Sequence, residues 1–428
     1  MKLLVFAHTP PPHHGQSFMV QLMLAGFGGD QRKARHRGNG AVGSVARTAL
    51  PGNGGGLDIE CYHVNARLSQ KLEDIGDFRV GKFLLLLGYC AQAIWCRFRH
   101  GVTNLYYIPA PGKRSALYRD WVVMLLCRPF FRRVILHWHA AGLAKWLETV
   151  VQLRTRSWTY HLLKQVDLSI VLSKYNRADA EKLFSRRITV VSNGIADPCP
   201  AFDTEVLPPR RARFAARRKL LSGQTLSEVD LQDTGADSQL VRVLYLAHCT
   251  REKGVFDTVA ATVLANQRLK ERHAPVALRL LVAGTFVSPA EEAEFQRLME
   301  RPGMKETVQC FGFVSGDRKN QLLREADLFC FPTYYQNENQ PVNLIEAMAF
   351  GLPILATRWR SIPELFPANY TGLVDIRSPD QLATALLNLM AAETGEGFRG
   401  IFLRNFTLER HLAGLSDAFH HVDAGSPE

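Results

Sequence analysis

The sequence lacks the cysteine pairs that would predict a zinc site or a disulfide framework. Its eight cysteines are scattered along 428 residues, and none forms a C-x-x-C motif. Scattered cysteines in a long chain are typical of a reducing compartment, where they act as small apolar core residues. The composition excludes a collagen, a coiled coil and a disordered chain. We therefore expect a globular cytoplasmic protein of two or three domains.

The sequence also lacks an apolar run long enough to cross a bilayer. The longest run, Phe83 to Trp95, contains Gly88 and Gln92 and falls short of the ~20 residues that a membrane span requires. We interpret it as a core helix. The N-terminal apolar run, Lys2 to Ala7, is too short for the hydrophobic region of a signal peptide and predicts a buried first strand.

Acidic residues are scarce in the first half of the chain. Residues 1–200 contain 27 Lys and Arg against 12 Asp and Glu, a net charge of +15, whereas residues 201–428 contain 25 against 28, a net charge of −3. A basic half beside a nearly neutral one suggests an anionic partner for the first half. An anionic membrane surface, a phosphorylated lipid and a nucleic acid all satisfy that charge. An excess charge that only maintains solubility is an equal alternative.

Short apolar segments alternate with helix-like segments twice along the chain. This pattern is typical of parallel sheets covered on both faces, and its repetition predicts two doubly wound α/β domains. The predicted domains are 1–195 and 241–395, joined by a linker with an insertion over 196–240 and followed by a C-terminal helix and tail over 396–428. The predicted strands are Lys2–Ala7, Leu105–Ile108, Arg133–His139, Leu168–Leu172, Arg242–Leu246, Ala277–Ala283, Val308–Phe311, Leu328–Phe331, Leu352–Ala356 and Leu373–Asp375.

The segment from Phe331 to Glu364 carries the most specific chemical signal. It predicts a strand end, a polar loop and a short helix over Asn343–Phe350 that Gly351 terminates. The free N–H groups and the positive dipole end of such a helix suit a diphosphate. Glu338 lies in the loop before the helix, and Glu346 lies one turn inside it. Carboxylates at these places fit hydrogen bonds from hydroxyl groups on either side of a diphosphate, on a ribose and on a sugar.

The spacing of Glu338 and Glu346, followed by the run A-M-A-F-G-L-P-I-L-A-T, resembles the E-x7-E signature of retaining glycosyltransferases of family 4. The resemblance implies a GT-B fold, in which two Rossmann-like doubly wound domains face each other across a cleft. It implies that Glu338 contacts the donor sugar and that Glu346 contacts the ribose. It also implies that backbone N–H groups of Val342 and Asn343 hold the donor.

The loop after the predicted strand Arg242–Leu246 reads A-H-C-T-R-E-K-G and resembles the G-R-x-x-x-x-K-G loop of the same family. Lys253 matches the family's lysine, which can neutralise a leaving diphosphate. The family's Gly-Arg pair falls on Ala247-His248, so we expect Arg251 to replace the missing arginine as a phosphate ligand. A surface lysine and arginine without a ligand are the simpler alternative.

Two segments of the first half resemble the family mainly in layout. The loop after the first strand places Gly15 and Gln16 where their N–H groups can touch the donor phosphate. His139 follows a buried strand, at the sheet edge where open α/β folds bind ligands. The family usually carries a histidine there, near the donor sugar, so the resemblance implies that His139 is a catalytic residue together with Glu338. No cysteine or carboxylate with ligand spacing accompanies the histidines of this half, so we expect no metal.

These patterns predict an enzyme that transfers a sugar from a nucleotide-diphosphate sugar to a glycan or lipid-linked acceptor. The resemblance implies retention of configuration, and the donor is a substrate, so no cofactor is expected. The basic half is a candidate contact to an anionic membrane surface at the inner face of the membrane, and no nucleic acid is expected. Two alternatives remain open: a nucleotide-sugar hydrolase or epimerase on the same fold, and a non-catalytic nucleotide-binding protein.

Overall fold

The computed structural model describes residues 1–11, 15–34, 59–68, 80–234, 238–392 and 395–424. The chain divides into two compact units. The first comprises residues 1–194 and 408–428, and the second comprises residues 195–407. The division follows the Asn193-Gly194 turn.

The described part of the first unit contains one six-stranded sheet. All of its strands are parallel, in the order β2-β1-β3-β4-β5-β6. The sequence did not predict β2 and β6. β6 is only three residues long, and none of these residues is fully buried. The strands are β1 (Lys2–Phe6), β2 (Glu60–Val64), β3 (Asn104–Tyr107), β4 (Arg133–Trp138), β5 (Leu168–Val171) and β6 (Ile188–Val190).

Helices cover both faces of this sheet. One core joins the side chains of Leu4 and Tyr107 to α3, α4 and α6, and the other joins those of Leu3 and Tyr106 to α1. This alternation follows from the period of two along each strand. The described helices are α1 (Gly15–Gly26), α2 (Gln31–Ala34), α3 (Val80–His100), α4 (Arg114–Cys127), α5 (Leu143–Thr149), α6 (Leu153–Leu163) and α7 (Arg177–Glu181).

Only one side of the α3 helix is buried. The prediction that the Phe83–Trp95 run forms a core helix is therefore wrong for the other side, which is exposed. A stripe of buried side chains, including Leu86 and Cys96, faces the sheet. On the other side, Leu84 is 63% exposed and Trp95 is 55% exposed. Within the described ranges, no helix combines the length and the apolar character that a membrane span requires.

The described part of the second unit also contains one six-stranded parallel sheet, in the order β12-β11-β10-β7-β8-β9. Each of its strands overlaps a predicted strand. The order reverses between β7 and β10, which makes their junction the topological switch point where open α/β sheets bind ligands. The strands are β7 (Leu240–Leu246), β8 (Ala277–Ala283), β9 (Val308–Gly312), β10 (Leu328–Phe331), β11 (Ile354–Thr357) and β12 (Leu373–Val374).

The segment 196–240, expected as a linker with an insertion, folds as part of the second unit. It forms a helical turn over Phe202–Val206 and two helices. Arg217 of this segment is fully buried and binds the Asp327 carboxylate at 2.7 Å, which explains its place in the unit. The helices of the unit are α8 (Leu207–Leu221), α9 (Glu228–Thr234), α10 (Val255–Glu271), α11 (Pro289–Met299), α12 (Met304–Thr307), α13 (Gly316–Glu325), α14 (Val342–Ala349), α15 (Pro379–Leu389) and α16 (Gly395–Asn405).

The last helix, α17 (Leu408–Ala424), returns to the first unit. The segment 396–428, expected as one C-terminal element, is therefore divided between α16 in the second unit and α17 in the first. The Phe419 ring of α17 is fully buried and lies 6.0 Å from the Phe27 ring and 6.3 Å from the Tyr106 ring. The His411 Nδ1–H group donates to the Ser192 carbonyl oxygen at 2.7 Å, and burial lowers the pKa of His411 to about 4.

We predict that Phe419→Ala lowers the free energy of unfolding of the first unit by about 3–5 kcal/mol, because it leaves a cavity between α17 and the sheet. Asp417→Ala on the exposed side of the same helix is the matched control and should change it by less than about 0.5 kcal/mol. Urea unfolding followed by circular dichroism measures both. Equal losses for the two variants would contradict the packing of α17 on the first unit.

Candidate active site

Two loops leave the carboxyl ends of the adjacent strands β7 and β10. The pairing of Val243 with Leu328 aligns the two strands, so both loops start at the same sheet edge. The first loop, residues 247–254, leads to α10, and the second, residues 332–341, leads to α14. The backbone N–H of Tyr334 donates to the Glu252 carbonyl oxygen at 2.8 Å, and the Thr333 hydroxyl donates to it at 3.2 Å. These bonds join the two loops at the switch point.

Lys253 and Glu338 form an ion pair between these loops. The Lys253 Nζ atom lies 2.5 Å from Glu338 Oε2, and this oxygen also accepts the Thr333 hydroxyl at 3.1 Å. Glu338 is 8% exposed. The Lys253 ammonium group also lies 4.7 Å from the centroid of the Tyr335 ring, within cation–π distance. An ammonium group has three donors and a carboxylate has two oxygens, so each partner retains capacity for a ligand.

The first loop, residues 247–254, is called the Lys253 loop, and it requires glycine at its last residue. Gly254 has a φ of 87°, and a Cβ atom there would lie 2.5 Å from the Pro332 carbonyl oxygen. Only glycine tolerates both the left-handed conformation and this close approach. The loop is therefore packed directly on the first residue after β10.

Glu346 pairs with a lysine that the sequence analysis did not identify. The Lys319 ammonium group of α13 contacts Glu346 Oε1, and neither side chain is fully exposed. Lys319 lies in a polar helix between β9 and β10, where no motif marks it. Its role could be found only by knowing that its side chain reaches Glu346 of α14.

The α14 helix begins at Val342, one residue before its predicted start. The Asn343 Nδ2 group donates to the Leu246 carbonyl oxygen at 2.9 Å, which holds the helix against the end of β7. The Asn343 Oδ1 atom is buried and has no hydrogen-bond partner within the described ranges. The N–H groups of the first helical turn, including those of Val342 and Asn343, have no acceptor within the helix.

Arg251 occupies a different place from Lys253. Its guanidinium group binds the Glu294 carboxylate of α11 at 2.6 Å and lies 4.5 Å from the centroid of the Phe256 ring. This pair is about half exposed. None of the contacts described for Arg251 joins it to the Lys253–Glu338 pair, and its predicted role as a phosphate ligand stays a prediction.

His139, Gly15 and Gln16 belong to the first unit. The His139 ring follows β4 and lies 4.2 Å from the His137 ring. Burial, followed by the charges of His139 and His411, lowers the pKa of His137 well below its usual value. Gly15 and Gln16 begin α1 after the first strand. Donor contacts of these three residues stay predictions.

The described residues contain no group of three His, Cys, Asp or Glu side chains that could hold a metal ion. At the switch point, Lys253 supplies a cationic group. Burial, followed by the charge of Lys253, lowers the pKa of His248 below its usual value.

Solved structures of known proteins share this architecture. Sucrose-phosphate synthase from Thermosynechococcus elongatus has a TM-score of 0.64 and 17% sequence identity over 100% of both chains. Anabaena HepE in complex with UDP-glucose has a TM-score of 0.59 and 14% identity, over 98% of this chain and 99% of that chain. At such identities the likeness concerns the fold. It confirms that the chain has the predicted two-domain, Rossmann-like GT-B fold.

Residues 227–396 match the family model of Glycosyl transferases group 1. The matched segment contains Lys253, Glu338 and Glu346. The putative colanic acid biosynthesis glycosyltransferase WcaL of Escherichia coli (strain K12) is 29% identical over 156 residues, which cover 36% of this chain and 36% of that relative. The match thus spans about a third of the relative's length. This part of the chain is therefore similar to Glycosyl transferases group 1.

We predict that Gly254→Ala destabilises the second unit more than Gly303→Ala does. Both glycines have a positive φ, 87° and 79°, so an alanine costs about 1–2 kcal/mol at either position. The added Cβ at position 254 also meets the Pro332 carbonyl oxygen, whereas nothing lies within 4 Å of the corresponding atom at position 303. Urea unfolding should show a further loss of about 1–3 kcal/mol for Gly254→Ala. Equal losses would contradict the close packing of the Lys253 loop on Pro332.

Proposed function

We propose that this protein is a glycosyltransferase that moves a sugar from a nucleotide-diphosphate sugar to a glycan or lipid-linked acceptor. The observation that carries the proposal is the Lys253–Glu338 ion pair at the switch point of a segment that matches Glycosyl transferases group 1. The name of WcaL places that relative in colanic acid biosynthesis, and HepE was solved with UDP-glucose. The name of WcaL supports a role in polysaccharide or glycolipid biosynthesis. The complex of HepE with UDP-glucose supports a nucleotide-sugar donor.

The donor's diphosphate is the anion that the site fits best. The first turn of α14 offers backbone N–H groups, and Lys253 and Lys319 supply two cations within the same unit. Without donor, both ammonium groups are neutralised by carboxylates. In the proposed complex they also bind phosphate oxygens. The Glu338 carboxylate then accepts hydrogen bonds from sugar hydroxyl groups, and the Glu346 carboxylate accepts them from the ribose.

The proposed reaction breaks the bond between C1 of the sugar and the diphosphate oxygen. The acceptor oxygen forms its bond to C1 on the same face, and its proton passes to the departing phosphate oxygen. Lys253 and the N–H groups of α14 stabilise the charge that develops on the diphosphate. Because these groups supply the positive charge, the proposed reaction requires no metal ion.

We predict that one of UDP, GDP and ADP binds the wild-type protein in calorimetric titrations. Lys253→Ala should weaken that affinity by about 10–100-fold, because a charge-assisted hydrogen bond to phosphate is lost. Glu346→Ala should weaken it as well, because the ribose loses its acceptor. Lys270→Ala, at an exposed position of α10, is the matched charge control and should bind as tightly as the wild type.

If none of the three nucleotides binds measurably, the donor-site assignment fails. If Lys270→Ala weakens binding as much as Lys253→Ala does, the effect reflects net charge and the site is elsewhere.

We predict that Glu338→Gln lowers kcat for transfer from a sugar donor of the nucleotide that binds by about 100-fold, because the site loses a charge that acts on the sugar in the transition state. Glu300→Gln, an exposed glutamate after α11, is the matched control. Radiolabelled donor incubated with a glycan or lipid-linked acceptor measures the rate. Nuclear magnetic resonance of the product should show the anomeric configuration of the donor, and EDTA should leave the rate unchanged.

Each part of the proposal has its own contrary outcome. An inverted product would contradict retention, and loss of activity in EDTA would contradict a metal-independent reaction. Release of free sugar at a rate independent of acceptor would identify a hydrolase on the same fold.

A further inference from the structure

Helices α3, α4 and α6 of the first unit carry an apolar outer surface. Each packs its buried side on the same face of the sheet, with Leu86, Leu117 and Leu163 in one core. α4 packs against both α3 and α6, so the three helices form one layer. Large apolar side chains on the outer side of this layer are between 41% and 68% exposed: Leu84, Trp95, Phe98, Leu125, Phe130 and Trp158.

The exposed side of α3 is a continuous stripe. Leu84, Gly88, Ala91, Trp95 and Phe98 are all exposed and follow each other at intervals of four and three residues, which places them on one side of a helix. None of these residues is charged. Because each of these residues is exposed, none of them is covered by another described part of the chain.

The stripe continues from α3 onto the turn after α4. The Phe98 and Phe130 rings make an edge contact at 6.0 Å between centroids. The Arg97 guanidinium group donates to the Phe130 carbonyl oxygen at 2.8 Å. These contacts make the outer surface one patch across two elements.

The segment that forms most of this surface is strongly basic. Residues 80–138 contain nine Lys and Arg but one acidic residue, Asp120. Asp120 is fully buried and accepts hydrogen bonds from the Tyr107 hydroxyl, the Ala110 N–H and the Arg119 guanidinium group. The α6 helix contains no acidic residue. The patch is therefore apolar, with exposed cations such as Arg99 and Arg132 beside Phe98 and Phe130.

We propose that the outer surface of α3, α4 and α6 binds an anionic phospholipid bilayer and lies in its headgroup region. Large exposed apolar patches on soluble proteins mark interaction sites. Apolar and aromatic side chains bounded by arginines match a layer with anionic groups above hydrocarbon. A second copy of this chain is a poorer occupant, because two surfaces with charge of the same sign would repel each other.

The test is co-sedimentation of the full chain with phospholipid vesicles. Vesicles that contain phosphatidylglycerol should bind the protein about tenfold more tightly than vesicles of phosphatidylcholine alone. Trp95→Ser/Phe98→Ser should weaken binding about tenfold or more, because two exposed apolar side chains no longer enter the bilayer. Arg99→Gln/Arg132→Gln should lower the preference for phosphatidylglycerol by about tenfold. Val229→Ser/Leu231→Ser, which removes two exposed apolar side chains from α9, is the matched control and should bind like the wild type.

All substituted side chains are exposed, so we expect each variant to fold. Circular dichroism and thermal unfolding check that it does. Equal binding to both kinds of vesicle, no binding to either, or equal losses for the α3 and α9 variants would overturn the proposal. Self-association of the wild type that Trp95→Ser/Phe98→Ser abolishes would also overturn it and would assign the surface to a second copy. Vesicle binding does not depend on nucleotide binding. Failure of the membrane proposal therefore leaves the proposed reaction unaffected, and failure of the proposed reaction leaves the membrane proposal unaffected.

Discussion

The second unit depends on one buried carboxylate, Asp327, which directly precedes β10. It is fully buried and accepts hydrogen bonds from Arg213 Nε at 2.9 Å, from Arg217 Nη2 at 2.7 Å and from the backbone N–H of Arg242 at 2.9 Å. Burial by itself raises the pKa of this carboxyl, but the charges of Arg217 and Arg213 outweigh burial and hold the pKa below its usual value. Removing one partner of a buried ion pair costs about 3–5 kcal/mol, so loss of Asp327 or of Arg217 should strongly destabilise the second unit.

The same cluster aligns the strands that carry the candidate active site. The Asp327 N–H donates back to the Arg242 carbonyl oxygen at 2.9 Å, so the starts of β7 and β10 are joined in both directions. Their ends then fall at one edge, where Lys253 meets Glu338. The α8 helix also reaches the end of α14, because Arg210 donates to the Gly351 carbonyl oxygen at 3.0 Å. One helix thus fixes both the start of β10 and the end of α14.

These long-range pairs explain what could and could not be predicted from the sequence. The two doubly wound domains were predicted from the alternation of apolar and helix-like segments, and the GT-B fold from the resemblance of the segment with Glu338 and Glu346. The resemblance assigned Lys253 and Glu338 to the donor site, but their ion pair was not predicted. The arginines of α8 were read as part of a linker, because an arginine run is normally solvated. Their burial depends on Asp327, which lies 114 residues after Arg213. Lys319 was missed for the same reason, since its partner Glu346 lies 27 residues away on another helix.

The exposed side of the α3 helix adds little to the stability of the first unit, for two reasons. Exposed Trp95 and Phe98 side chains gain little from folding, and an excess of positive charge repels itself. The only acidic residue of the segment 80–138, Asp120, is fully buried, where desolvation opposes its charge, and it binds Arg119 of the nine Lys and Arg residues. A ligand that is anionic at its surface and apolar below offsets both costs at once, and this is the physical argument for a bilayer as the occupant.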